Sequence, residues 1–273
     1  MAVRRFCLGV PILRDLYRGA RKLYTRRRAL KMAKGYFVNF NDYRTALELE
    51  DGTIVEIRTR DGLTLSIRRN IVDAGILAET FLDNCYVRGL ILPEHPVVVD
   101  IGGFIGDFAL YATKCLNARK VVVCEPSPQN WALLRKNVNN NDYQDRIEMV
   151  NKAVTDGRDI MMDVDAPARG QHRVSAYYPN NAARKIIPGV ALATIVDDYG
   201  LTVIDLLKID CEGGEYDILS AAPTEVLVRI RNIVFEYHEI EGFEAKLESV
   251  KQRLCDHGYS LRTHGSLVFA SHA

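Results

Sequence analysis

Val98-Val99-Asp100-Ile101-Gly102-Gly103-Phe104-Ile105-Gly106-Asp107 is the stretch from which the fold of this 273-residue chain can be read. A continuous apolar run, Val97–Ile101, ends on glycines, and a helical pattern over Asp107–Cys115 begins just beyond them. A strand that is apolar on both faces is buried on both, as in a parallel sheet covered by helices. Glycines at its end let the backbone turn sharply and pass close to a ligand without a Cβ in the way. The helix N-terminus that follows offers unpaired N–H groups and the positive end of its dipole to an anionic group. On its own such a turn serves equally as a structural turn or an NAD loop.

Downstream, Lys120–Glu125, Ile147–Ala153, Val203–Asp210 and Asn232–His238 read as further strands, and 128–139, Glu215–Ala221 and 243–257 as helices. The final two strands, Tyr259–Thr263 and Ser266–Ala270, are separated by His264-Gly265 alone. A parallel crossover cannot be that short, so they form an antiparallel hairpin. The expected fold class is α/β, a Rossmann-like sheet of the class I methyltransferase type, mostly parallel with an antiparallel C-terminal hairpin. Upstream, Ala46–Glu50, Thr53–Arg60 and Leu63–Arg68, joined through Asp51-Gly52 and Asp61-Gly62, predict a small antiparallel meander. A helix is expected over Ile71–Gly89, and one or two basic helices over 12–33. The chain divides on this reading into a basic helical and β-meander extension, 1–90, and a cofactor-binding domain, 91–273.

Composition narrows the function classes. The chain is 48% hydrophobic and 26% charged with a net charge of +1, ordinary for a globular protein. The charge is segregated: residues 1–34 hold eleven Lys or Arg against Asp15 alone, so the remainder is acidic. An acidic core without an aromatic-basic stripe excludes nucleic acid as the expected partner. The basic segment 1–34 suits peripheral contact with an anionic membrane, a contact in a homo-oligomer, or simply a solvated helix pair. Six scattered cysteines without a CxxC pair give neither zinc spacing nor a disulfide framework. No apolar run approaches the roughly 18 residues of a membrane span. Arg4-Arg5 and Phe6–Leu13 faintly resemble an export signal, but the run stops at Arg14 and no small-residue cleavage site follows. The expected location is cytoplasmic.

The surroundings of the glycine turn sharpen its reading. Asp100 stands where it can reach the amino group of a bound amino-acid moiety. The second strand ends in Glu125-Pro126, about 20 residues past the glycines, where a carboxylate can accept both hydroxyls of a ribose. The phosphate-cradling pattern GxxxxGK[ST] is missing. A ligand with a ribose and a zwitterionic amino acid but no phosphate is S-adenosylmethionine (SAM).

From Gly62 to Ala270 the chain resembles the FkbM-type methyltransferases, a branch of the class I SAM-dependent enzymes. The resemblance is carried by Val99-Asp100-Ile101-Gly102 with Gly106, Glu125-Pro126, Asn151-Lys152-Ala153-Val154, Thr194-Ile195-Val196-Asp197-Asp198, and most specifically Asp205–Glu215, close to the signature KIDVEGxE. It implies O-methylation of sugars and other hydroxylated natural-product or glycan acceptors. It also implies SAM binding by Asp100, Gly102, Gly106 and Glu125, with Asn151-Lys152-Ala153 near the adenine. Gly103-Phe104 stands where the family usually has Ala-Asn, which bears on the methionine pocket. Cys211 and Gly214 replace the usual Val and Ala.

Methyl transfer is an in-line displacement, so the protein must align the acceptor and take its proton. Lys208, Asp210 and Glu212 alternate at the end of one core strand, and Glu236 and His238 at the end of the next, where α/β sheets place their ligand crevice. One expectation is a divalent metal such as Mg2+ on Asp210 with Glu236 or His238, polarising the acceptor hydroxyl. Another makes His238 the general base. The plain alternative is that Asp210 and Glu212 cap the next helix and pair with Lys208. The polar segment Asp163–Pro188, with Gln171-His172-Arg173 and Tyr177-Tyr178, is long enough for an acceptor-binding lid and equally for a bare surface loop. Competing activities are N-methylation of an amine or peptide and, from a different class, an NAD-dependent oxidoreductase. A non-catalytic SAM-binding partner protein is a third.

Overall fold

The computed structural model describes residues 29–163, 184–211, 213–237 and 243–272. A helical stretch ending at 36 leads into α1 (Phe40–Glu48), the hairpin β1 (Ile54–Arg58) and β2 (Thr64–Arg68), and α2 (Ile71–Phe81). Then come β3 (Val97–Ile101), α3 (Asp107–Lys114), β4 (Lys120–Cys124), α4 (Pro128–Asn140) and β5 (Ile147–Val150). Short strands β6 (Ala153–Thr155), β7 (Ile160–Asp163), β8 (Arg184–Ile187) and β9 (Gly189–Ala191) lead to α5 (Leu192–Asp198) and β10 (Leu206–Ile209). The chain finishes with α6 (Glu215–Ala221), α7 (Thr224–Leu227), β11 (Asn232–Glu236), α8 (Glu244–Asp256), β12 (Tyr259–His264) and β13 (Leu267–His272).

Seven strands form the central sheet in the order β12-β13-β11-β10-β3-β4-β5. β3, β4, β5, β10 and β11 pair in parallel, whereas β13 runs antiparallel to both β11 and β12. The expected hairpin is therefore present, with its second strand inserted inside the first. Alternation along the strands sorts side chains into two cores. Val97, Val99, Ile101, Leu207, Ile209, Ile233 and Phe235 face one cluster, shared with Ile218 and Leu219 of α6 and Val250 and Leu254 of α8. Val98, Val121, Val123, Leu206, Val234 and Phe269 face the other, shared with Phe37, Tyr43, Ile57, Leu65, Leu77 and Phe81 from the N-terminal elements. Each such side chain contributes roughly 1.5–3 kcal/mol on burial. The same alternation puts Asp100 and Lys208 on the face that the N-terminal elements cover.

The expected meander needs one correction. Ala46–Glu50 is not a strand: Ala46–Glu48 closes α1. Its alternation spans too few residues to outweigh the helical spacing of Tyr43, Ala46 and Leu47, which turn one face inward, with Tyr43 stacked on Phe37 at 4.4 Å between ring centroids. The second and third expected strands do pair, in the register Ile54↔Arg68 to Arg58↔Thr64. The helix expected over Ile71–Gly89 stops at Phe81, and Asn84, in the left-handed region at φ 49°, starts a separate 3₁₀ turn, Cys85–Val87.

The free edge of β2 is satisfied by side chains of α4 rather than by another strand. Asn141 Oδ1 accepts from Thr64 N (2.9 Å) while its Nδ2 donates to Thr64 O (2.9 Å). One helical turn earlier, Asn137 does the same for Ser66 N and O, at 2.6 and 3.0 Å. These asparagines mimic a strand partner, and they clamp the hairpin along α4.

β7 and β8 pair antiparallel and bracket the proposed lid, whose residues 164–183, including Gln171, His172, Arg173, Tyr177 and Tyr178, lie outside the described residues. So do residues 1–28 of the basic segment. Among the described residues no helix is long and apolar enough to cross a membrane, and Cys85, Cys115, Cys124, Cys211 and Cys255 are free.

Candidate active site

The glycine turn is bent over the tip of β4. Gly102 N and Gly103 N both donate to Cys124 O, at 3.0 and 2.9 Å. Gly102 has φ +78°, and a Cβ there would overlap the Asp210 carbonyl oxygen, so no other residue lets the ends of β3 and β10 come this close. A Cβ on Gly103 would overlap Val123 Cγ2. Phe104 sits in the left-handed region (φ 47°), which is uncommon for a bulky side chain.

Glu125 closes this loop from β4. Its Oε2 accepts from Phe104 N at 2.8 Å and its Oε1 from Ser127 N at 2.8 Å, with Asn130 Nδ2 at 3.4 Å. Burial pushes the carboxyl up to about 7, against the downward pull of those donors and of Lys208. Asn151 Nδ2 donates to Glu125 O (2.8 Å), joining the tips of β4 and β5, with half-buried Pro126 and buried Ala153 beside them. Ser127 Oγ is buried without a hydrogen-bond partner.

An acidic hollow lies next to the turn. Asp100 is fully buried, its Oδ1 3.0 Å from Lys208 Nζ, and neither oxygen accepts an aligned hydrogen bond. Burial raises the Asp100 pKa, and the Lys208 ammonium opposes that rise. Lys208 Nζ also donates to Gly102 O (2.8 Å) and lies 5.2 Å from the centroid of the Tyr86 ring. Burial works against the Lys208 charge, but Asp100, Asp210 and Asp107 together hold its pKa above the ordinary lysine value. The three carboxylates thus favour the charged form of Lys208. Tyr86 Oη donates to Asp210 Oδ2 at 2.7 Å, and Thr80 Oγ1 to Asp107 Oδ2 at 2.7 Å. Burial pushes Asp107 up to about 7 and also raises Glu79, which feels Glu236, Asp210 and Asp83.

The structure thus brings Asp100, Gly102, Gly103, Phe104, Gly106, Glu125, Lys208 and Asp210 around one crevice at the carboxyl ends of β3, β4 and β10. Glu212 and His238 lie outside the described residues. The expected metal set gains no support. Among the described residues no group of three His, Cys, Asp or Glu side chains could hold a metal ion; Asp210 is engaged by Tyr86, and Glu236 Oε1 accepts from Ser266 Oγ at 2.6 Å. Sequence reasoning missed Glu79, Thr80, Tyr86 and Arg68, all from the N-terminal elements. Only the places of Glu79 and Thr80 on α2 and of Arg68 on the hairpin could have hinted at them; Tyr86 sits in the 3₁₀ turn Cys85–Val87.

A sheet of this order, with a glycine turn after its first core strand and an acidic residue at the tip of the second, defines a class I methyltransferase. Within that class, residues 100–261 match the model of the methyltransferase FkbM domain, and the chain belongs to that family of SAM-dependent methyltransferases. It is 28% identical to the 31-O-demethyl-FK506 methyltransferase FkbM of Streptomyces tacrolimicus, covering 70% of this chain and 84% of that protein. It is 24% identical to methyltransferase sdnD of Sordaria araneosa, over 68% of this chain and 82% of the relative. A methyltransferase FkbM from Methylobacillus flagellatus KT, of known crystal structure, is 17% identical with a TM-score of 0.48, covering 69% of this chain and 46% of that one.

Proposed function

We propose that this chain methylates a hydroxyl oxygen of a sugar, glycan or related natural-product acceptor. The observation that carries the reading is the set of carboxylates beside the glycine turn: Asp210 at the end of β10, with Glu79 and Glu236 close enough to influence one another. An alcohol must lose its proton as it attacks, and a carboxylate held at the reacting centre can orient and receive that proton. The name of the Streptomyces relative, which specifies a 31-O-demethyl substrate, is in keeping with oxygen as the acceptor atom.

The residues fit the cofactor. Asp100 is a buried carboxylate that accepts no aligned hydrogen bond beside its ion pair with Lys208 and can take an ammonium group, and the Ser127 hydroxyl is a buried group without a hydrogen-bond partner. Glu125 retains acceptor capacity for ribose hydroxyls. SAM supplies an electrophilic methyl group on a sulfonium. Lys208 opposes the rise in the Asp100 pKa and anchors the turn through Gly102 O. Tyr86 fixes one oxygen of Asp210, while Oδ1 makes no hydrogen bond with any described residue and is free to orient the acceptor hydroxyl. His238, which lies outside the described residues, is proposed as the base. Five free thiols accord with a reducing, cytoplasmic setting.

The test uses SAM labelled with 13C at the methyl group and a panel of hydroxylated and amine acceptors. Carbon NMR of the products should show O-methyl resonances; exclusive N-methyl products would overturn the proposal.

A further inference from the structure

We propose that Arg68, which precedes the residues 100–261 matched by the family model, is a positioning residue for the cofactor. Through Asn130 it orients the Glu125 carboxylate, and by lying over Phe104 it holds the glycine turn. The inference rests on the reading that Glu125 takes the ribose hydroxyls of SAM.

Arg68 ends β2 and is buried, yet each face of its guanidinium has a defined partner. Its Nε donates to Asp73 Oδ2 (2.9 Å) and Nη2 to Asp73 Oδ1 (3.1 Å), a bidentate pair within which Asp73 is fully buried. Nη1 donates to Asn130 Oδ1 at 2.9 Å. The guanidinium carbon stands 5.1 Å from the centroid of the Phe104 ring. The hydrogen bond to Asn130 Oδ1 has a consequence for the other end of that amide. With its oxygen committed to Arg68, the amide presents Nδ2, a donor, to Glu125 Oε1. Without Arg68 the amide could turn over and set its oxygen against the carboxylate. The stack on Phe104 acts at a second point, because Phe104 N is the donor to Glu125 Oε2. Both oxygens of Glu125 are therefore addressed by groups that Arg68 holds.

The placement is built in. Thr64, Ser66 and Arg68 point to α4 at every second residue of β2, and meet Asn141, Asn137 and Asn130 in turn. The first two of those contacts clamp the hairpin; the third delivers a cation to the cofactor side. Gly103-Phe104, where relatives usually carry Ala-Asn, is the other half of the arrangement. The ring offers a face that an asparagine would not, and arginine is the residue that stacks on aromatic faces while forking to a carboxylate.

The test is a double-mutant cycle on the binding of S-adenosylhomocysteine (SAH), measured by calorimetry with the full chain. R68K keeps a cation for Asp73 but cannot fork to Asn130 as well or stack as a plane. N130A should weaken SAH binding about tenfold, R68K by at least as much, and R68K/N130A no more than R68K alone, since R68K already cuts the link through Asn130. Each single variant should also move upward the pH below which SAH binding fades, because Glu125 loses a donor that stabilises its charge. Asn130, Phe104 N, Ser127 N and Lys208 all favour that charge, and the first two are the ones that Arg68 touches. If R68K binds SAH within twofold of the native chain, or if the two losses multiply, the proposal is overturned. If R68K fails to fold, F104L and N130A each cut one of the two points at which Arg68 acts, and each should weaken SAH binding; either variant within twofold of the native chain overturns the proposal. If the native chain itself takes up no SAH, the reading of Glu125 as ribose ligand falls, and this inference with it.

Discussion

Gly103→Ala adds a single methyl group, and it should damage this chain. The added Cβ would overlap Val123 Cγ2, with Leu134 Cδ1 at 3.2 Å and Cys124 O at 3.6 Å leaving no room for a sidestep. Val123 is fully buried on a central strand, and its β-branched side chain is stiff at χ1, so it cannot swing aside cheaply. Overpacking of this kind costs about 1–3 kcal/mol. Val123→Ala alone removes two buried methyl groups and should cost about 2 kcal/mol. Made together, the new methyl fills part of the space the valine leaves. The double variant should be destabilised by about 1–2 kcal/mol, less than the sum of the singles, giving a coupling of about 1–3 kcal/mol. Urea unfolding read by the emission of Trp131, the only tryptophan, and by far-UV circular dichroism gives all four stabilities. A Gly103→Ala variant within about 0.5 kcal/mol of native, or strictly additive effects, would refute the reasoning.

Gly102→Ala meets backbone rather than a side chain, at a positive φ, and no neighbouring substitution relieves it; calorimetry should find SAH binding lost, and retained binding would contradict the close approach of β3 and β10. Tyr86→Phe removes a hydrogen bond to a carboxylate, so stability should fall by about 1.5–3 kcal/mol in urea unfolding; no change would mean that Asp210 is satisfied elsewhere. Glu125 and Asp107 both titrate near 7 in the fold, above their ordinary values, so the apoprotein's stability from them is full in acid and declines as pH rises through about 7. Cofactor binding runs the opposite way, since ribose hydroxyls donate to an ionised Glu125, and SAH affinity should rise between pH 6 and 8. Glu125→Gln, which cannot ionise, should abolish that rise in affinity; a rise of the native size in the variant would show that another group sets the pH dependence.

The core was legible because continuous apolar strands and the two-residue C-terminal turn leave few alternatives. Val97–Ile101 and Glu215–Ala221 agree with the structure residue for residue. Glycines and acids at strand ends were legible for the same reason, since position along a strand is position in the crevice. What stayed hidden depends on docking between distant segments. Tyr86 and Asp210 are 124 residues apart, and nothing in the local pattern of Cys85–Val87 marks a tyrosine as the partner of a core carboxylate. Arg68 read as the polar end of a strand because a buried cation is recognisable only once Asp73, Asn130 and Phe104 surround it. Ala46–Glu50 was misread since five residues fit period two and period 3.6 nearly equally, and Phe37, outside the segment, decides between them.

The placement of β13 between β11 and β12 makes the edge of the sheet depend on residues that come after it in the chain. β12 has no route to the older strands except through its successor. A deletion of Leu267–His272 would therefore remove two strands while excising one, and leave Phe235 and Val234 of β11 facing solvent along a raw margin. Tolerance of the carboxyl terminus to tags or trimming should end abruptly at that point rather than taper.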